Sequence, residues 1–299
     1  MVVPHCPNGL FPTALLKLFG LFPLYSYPSI EPQSKQPLKE PTLWIAPPRT
    51  GSESGVLSRD VDCLKWQAFL ALKGLAGIAV RWDVVSEGAI DKKLPNLHVP
   101  LNGKAPEPED GSLLAASMIP SWAADRLAST EEKELDALDG YKDQAAKDES
   151  LAWTTMLETR VRAALLVAQP SSSYLQSLLN LTYSDNDTDP LASITTPPLP
   201  PLTGYSSLIR PMGSRVNTVA VESEYREAIS ALAERLGTDK WFLGSENATV
   251  LDALLFAYIH TILHSKDSIR VEVTRRVNLV AWEWRVRGVV RAAFHKASR

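Results

Sequence analysis

Few residues of this 299-residue chain are spaced for chemistry. His260 and His264 stand four apart, one helical turn, a separation that lets two imidazoles share a metal ion. No third ligand accompanies them, so they read as a structural or solvated pair. Cys63 falls beside an apolar helical stripe and reads as a small core residue. The other cysteine, Cys6, gives no CxxC or Cys/His metal spacing with it, and two cysteines in a chain of this length fit a reducing compartment. Ser52, Ser54 and Ser58 follow an expected first strand, where a hydroxyl can activate a thiol; in a Gly- and Ser-rich stretch they read first as loop. Phosphate-cradling, dinucleotide, nucleophile-elbow and zinc-protease motifs are absent. No catalytic, cofactor-binding or metal residue is therefore expected. Thr249 and Asp252 have capping-box spacing ahead of an apolar run, so each side chain can reach the other's backbone N–H.

The elements that must position these residues are set by composition and proline placement. Apolar residues make up 45% and charged residues 22%, values that exclude wholesale disorder and a multi-span membrane protein. Net charge is −3, which offers nucleic acid no global attraction. The charge is uneven: residues 105–149 carry a net −8 and residues 266–299 a net +6, which suggests opposed electrostatic faces or two ordinary solvated ones. Ten of the 22 prolines fall in residues 1–48 and six in residues 190–211. A proline inside a helix costs about 3 kcal/mol, so the proline-dense tracts read as leader and linker and the proline-free ones as helical. The apolar stretch Phe11–Phe22 is too short to cross about 30 Å of hydrocarbon. It lacks a basic flank before it, so neither a membrane span nor a secretory signal is expected.

Three segments follow: an apolar leader over 1–41, a mixed domain over 42–130 and an all-helical domain over 131–299 with a loop insertion at about 183–215. In the leader, Phe11, Leu15, Leu18, Phe19 and Phe22 have helical spacing and form a candidate partner-binding face. Strands are expected at 42–46, 78–85 and 94–101, with a helix capped by Ser58 between the first two and another, interrupted near Pro120, over 112–126. That β-α-β-β-α order is the pattern of a thioredoxin-like half-domain, with a simple βαβ fragment as the alternative. Beyond 131, helical faces recur at 157–168, 174–181 and 221–236. The run 251–262 is apolar nearly all round and should lie at the centre of its domain. A long helix or kinked pair is expected over 268–297.

A thioredoxin-like half followed by a helical half is the plan of the glutathione S-transferase fold. The Thr249-x-x-Asp252 box resembles that fold's folding signature. The likeness is closer to the metaxin family: Asp62-Cys63-Leu64 resembles the start of the metaxin first helix. Trp241-Phe-Leu-Gly, followed by Thr249-Val-Leu-Asp-Ala-Leu-Leu-Phe-Ala-Tyr, resembles its helical-domain motif. Within the family the chain is most similar to the smaller peripheral subunit of the fungal mitochondrial sorting and assembly machinery. The resemblance implies a non-enzymatic receptor or scaffold on the cytosolic face of the mitochondrial outer membrane. It implies as partners a BamA-type barrel subunit, a second metaxin-like subunit and β-barrel precursors, with no cofactor and no nucleic acid. It also implies a cis-proline before the third strand, for which Pro95 is the candidate and Pro100 the alternative. Catalytic transferases keep an acid-Ser pair ahead of a helix; Asp110-Gly111-Ser112 interrupts that pair with glycine. The competing readings are an active glutathione S-transferase and a transferase-like interaction module of another soluble assembly.

Overall fold

The computed structural model describes residues 38, 40–49, 55–84, 86–100, 111–128, 138–168, 217–265 and 267–297. The leader residues Phe11, Leu15, Leu18, Phe19 and Phe22, the helical face at 174–181, the insertion at 183–215 and the expected 130/131 boundary lie outside them.

Strands β1 (Thr42–Trp44), β2 (Ile78–Arg81), β3 (Asn96–Pro100), β4 (Gly111–Leu114) and β5 (Phe294–Lys296) form one sheet in the order β4-β3-β1-β2-β5. β1 and β2 run parallel, pairing Leu43 with Val80. β3 runs antiparallel to both β1 and β4. Leu43, Ala79, Val80 and Leu97 are fully buried. The β1–β2 crossover is helix α1 (Val61–Leu72), because parallel neighbours cannot be joined by a tight turn. Its N-cap is Asp60, whose carboxylate accepts the Cys63 N–H at 2.9 Å. Ser58, expected in that role, instead donates to the Ala46 carbonyl and accepts the Asp60 N–H. The Leu94–Pro95 peptide is cis.

Two elements differ from the sequence expectation. The stretch expected to be a helix from Ser112, interrupted near Pro120, begins instead with β4 and a 3-10 turn (Ala116–Met118). Helix α2 (Ile119–Ala128) starts only at Ile119. Gly-Ser-Leu-Leu carries no β-branched residue to signal a strand, so pairing with β3 overrides local propensity there. Pro120 sits in the first helical turn, where its missing N–H breaks no bond. The segment from 131 also contributes β5, so it is not wholly helical. After Ala293 the chain turns extended, the Gly77 N–H bonds Ala293 and Phe294 pairs with Ile78 on the free edge of β2.

The helical half comprises α3 (Gln144–Met156), a π-helical turn (Leu157–Val161), α4 (Arg162–Ala168), α5 (Thr218–Leu236), α6 (Val250–Leu263), α7 (Asp267–Thr274) and α8 (Val277–Ala293). Every residue from Leu251 to Ile262 is buried, as an all-round apolar helix requires. α6 packs against α1, α7 and α8, joining the two halves through one core. Glu149 and Arg235 clamp α3 to α5 by two bonds of 2.7 and 3.0 Å. The Tyr225 hydroxyl donates to the Ile269 carbonyl at 2.7 Å, tying α5 to α7. The terminal helix is a pair, α7 and α8, broken at Arg275 and Arg276. A thioredoxin-like sheet joined to a helical half is the glutathione S-transferase-like architecture.

Candidate functional site

In open sheets with a parallel crossover, ligands bind outside the carboxyl ends of the strands. Here that end is formed by the residues after β1, the cis-Pro95 turn and the head of α2. Among the described residues after β1, Pro48 and Ser58 form a bridge, and the Arg59 N–H reaches the Pro47 carbonyl. The Ser58 hydroxyl is committed to the Ala46 carbonyl at 2.9 Å, and its N–H to the Gln67 side chain at 3.0 Å. Gln67 in turn donates to the Val56 carbonyl at 2.8 Å. Ser52 and Ser54 lie outside the described residues.

Cys63 occupies the start of α1 but faces inward. Its thiol is fully buried and accepts the Ala46 N–H at 3.4 Å. Burial, followed by the charge of Asp60, raises its pKa well above the ordinary thiol value. A thiol held protonated is a poor nucleophile and a poor metal ligand. At the cis-proline turn, Asn96 accepts the Ile90 N–H at 2.9 Å and donates to the Lys93 and Pro95 carbonyls.

The residues directly ahead of α2 are those of the 3-10 turn, Ala116, Ser117 and Met118. The Asp110-Gly111-Ser112 stretch therefore does not stand directly ahead of a helix, since α2 starts at Ile119. Ser112 is exposed on edge strand β4, and Asp110 lies outside the described residues. The displacement follows from reading the strand as helix.

Thr249 and Asp252 form a reciprocal capping box at the head of α6. Asp252 is fully buried and does more than cap. One carboxylate oxygen accepts the Thr249 N–H and hydroxyl, each at 2.8 Å; the other accepts the Phe242 N–H at 2.8 Å. It thus holds the Trp241-Phe-Leu-Gly turn, where Leu243 takes a left-handed φ of 62°, against the helix. Phe242 is buried under the edge of Trp153, with ring centroids 5.3 Å apart. Burial pushes the Asp252 carboxyl up to about 6, against the opposing pull of these three bonds.

His260 and His264 do not share a ligand position. His260 Nδ1 lies 2.7 Å from a Glu283 carboxylate oxygen, and both side chains are buried. His264 Nδ1 faces the His260 carbonyl at 2.7 Å. Burial lowers the His264 pKa, so it stays neutral and donates there. Arg287 approaches the same carboxylate at 3.7 Å. The sequence reading missed Glu283 as the partner; its signal was being the one acidic residue between Val277 and Arg299. Among the described residues no cluster of three or more His, Cys, Asp or Glu is placed to hold a metal, and no helix is long and apolar enough to cross a membrane.

Residues 225–286 match the family model described as glutathione S-transferase, C-terminal domain. No curated protein matches the chain. Solved structures similar to it include a glutathione transferase family member from Pseudomonas fluorescens with two glutathione bound, 12% identical over 87% of this chain and 95% of that one, TM-score 0.45. A glutathione S-transferase from Methylobacterium radiotolerans in complex with glutathione sulfonate is 15% identical over 87% and 96%, TM-score 0.43. A glutathione S-transferase-like protein from Pseudomonas syringae is 13% identical over 87% and 71%, TM-score 0.48.

Proposed function

We propose that this protein is a non-enzymatic receptor and scaffold subunit of the mitochondrial outer-membrane sorting and assembly machinery. In this reading it sits peripherally on the cytosolic face, beside a BamA-type barrel subunit and a second metaxin-like subunit, and helps to insert β-barrel precursors. The observation that carries the proposal is that the described residues after β1 are committed to the fold. The Ser58 hydroxyl is spent on a backbone carbonyl, and Cys63 is buried with a raised pKa. An activated nucleophile has an adjacent base or a lowered pKa, and these described groups show neither. The metaxin-like motif is also used as a structural unit, since Asp252 binds the Trp241-Phe-Leu-Gly turn to α6.

The leader supplies the proposed attachment. Phe11, Leu15, Leu18, Phe19 and Phe22 would yield roughly 7–15 kcal/mol gross if buried on a partner, at about 1.5–3 kcal/mol each. Ordering the segment would offset most of that, and contacts from the rest of the chain add to the remainder. Deleting residues 1–30 tests it. A truncated protein that stays folded but no longer co-purifies with the barrel subunit supports docking on the barrel. One that unfolds assigns the segment to the protein's own core, and one that stays bound removes the leader from the interface.

A further inference from the structure

β5 is a short strand laid on an apolar edge. The edge it covers is β2, Ile78-Ala-Val-Arg, whose first three residues are apolar and buried. An uncovered strand edge presents a row of backbone N–H and C=O groups, and an apolar one is a template for another strand. β5 occupies that row over three residues, pairing Phe294 with Ile78, His295 with Ala79 and Lys296 with Val80. It is delivered by α8 and runs parallel to β2, so no tight turn joins the two strands.

The contacts that hold β5 are few. Phe294 is its one buried side chain. The His295 Nε2 lies 3.1 Å from a Glu40 carboxylate oxygen, but both side chains are 46% exposed, and an exposed pair of this kind contributes little. Lys296 lies 4.8 Å from the centre of the Trp82 ring. In place of the apolar β2 edge, β5 shows solvent the exposed His295 and Lys296; a short edge strand with a charged residue discourages further pairing.

The covered edge is complementary to itself. The Ala79 N–H bonds the Pro41 carbonyl and the Arg81 carbonyl accepts the Ile45 N–H, so these two residues face β1. Ile78 and Val80 alternate with them and face β5, where the Val80 carbonyl accepts the Ala297 N–H at 3.2 Å. Two copies of β2 can meet antiparallel about a two-fold axis at Ala79, with Ile78 of each opposite Val80 of the other. Arg81 then faces Gly77, and no like charges oppose.

We propose that β5 is a displaceable guard strand. Paired, it blocks association through the β2 edge; lifted, it frees the Ile78 and Val80 backbone groups to pair with the same edge of a second copy. The inference rests on the sheet alone and is independent of the assembly the protein serves.

The test compares the full chain with its Ala297→Pro variant, which lacks the N–H that bonds Val80. In wild type, native-state hydrogen exchange should open the Ala297 N–H well before that of Ile45, which bonds Arg81 on the other side of β2 at 2.8 Å. The variant should keep its far-UV circular dichroism. In sedimentation velocity it should shift, relative to wild type, to a concentration-dependent doubling of mass. Amides of residues 77–82 should exchange faster than in wild type when the variant is dilute and regain protection when it associates. A version ending at Ala293 should associate at least as readily. Exchange of the Ala297 and Ile45 N–H groups together, or loss of the fold in the variant, would overturn the proposal by making β5 part of the core. A variant that keeps the wild-type mass, or a dimer in which residues 77–82 stay unprotected, would also overturn it.

Discussion

Replacing Asp252 by alanine should destabilise the protein more than removing its capping partner. Thr249→Ala deletes one hydroxyl acceptor of the α6 cap and should cost the ordinary about 0.5–2 kcal/mol. Asp252→Ala strands two buried N–H groups, those of Thr249 and Phe242, which its oxygens accept at 2.8 Å each. A buried donor left without a partner costs about 1–3 kcal/mol. Part of this is offset, because the variant no longer keeps a carboxylate in a fully buried position. The net expectation is a loss of about 2–4 kcal/mol at neutral pH, judged from those unit costs. The pH dependence is a second signature. Burial lifts the carboxyl from 3.8 to about 6, so between those values the folded protein holds a proton that the unfolded chain releases. Its contribution to stability is full below the unfolded value, declines as pH rises to about 6 and is level above that. Urea titrations of wild type, Asp252→Ala, Asp252→Asn and Thr249→Ala across this range measure both effects. The stability difference between wild type and Asp252→Asn should shrink as pH rises through the interval. Equal losses in the two alanine variants, with a pH-independent difference for Asp252→Asn, would refute the assignment of a bridging role to Asp252.

Arg235→Met should lower stability by about 1 kcal/mol or less, because the clamp to Glu149 is partly exposed. The pairing with Arg235, which depresses the Glu149 carboxyl to about 2, should be present at neutral pH and lost as pH falls through that value; acid titration of the two proteins compares them. Cys63 should resist alkylation at mildly alkaline pH in the folded protein and react once unfolded; peptide mass mapping reads it, and rapid native labelling would contradict its burial. Glutathione conjugation should not exceed the uncatalysed rate. Activity lost on Ser58→Ala with the fold intact would show that this hydroxyl is free to act.

Much of the architecture was legible because it rests on local pattern. The apolar spacing of Val61, Leu64 and Ala68, the all-round apolar run from Leu251 and the Thr249/Asp252 spacing each encode their element within a few residues. β4 and β5 were not legible. Gly-Ser-Leu-Leu and Phe-His-Lys acquire strand geometry only from β3 and β2, partners distant or weakly signalled in sequence. The same limit explains the misplaced pair ahead of α2 and the choice of Ser58 over Asp60 as the cap. Ser58 has a better use at the Ala46 carbonyl, a contact 12 residues away. Of the site chemistry, the sequence conveyed that His260 and His264 stand one helical turn apart. That His260 instead has Glu283, 23 residues on, depends on how α6 and α8 pack.

The proposed scaffold role in outer-membrane β-barrel assembly is tested most directly by the identity of the membrane proteins that co-purify with the full chain from mitochondria solubilised in mild detergent. A BamA-type barrel together with a second metaxin-like subunit in stable amounts is the expected result. Recovery of ribosomal or synthetase components, or of the chain alone, with no barrel, would contradict it.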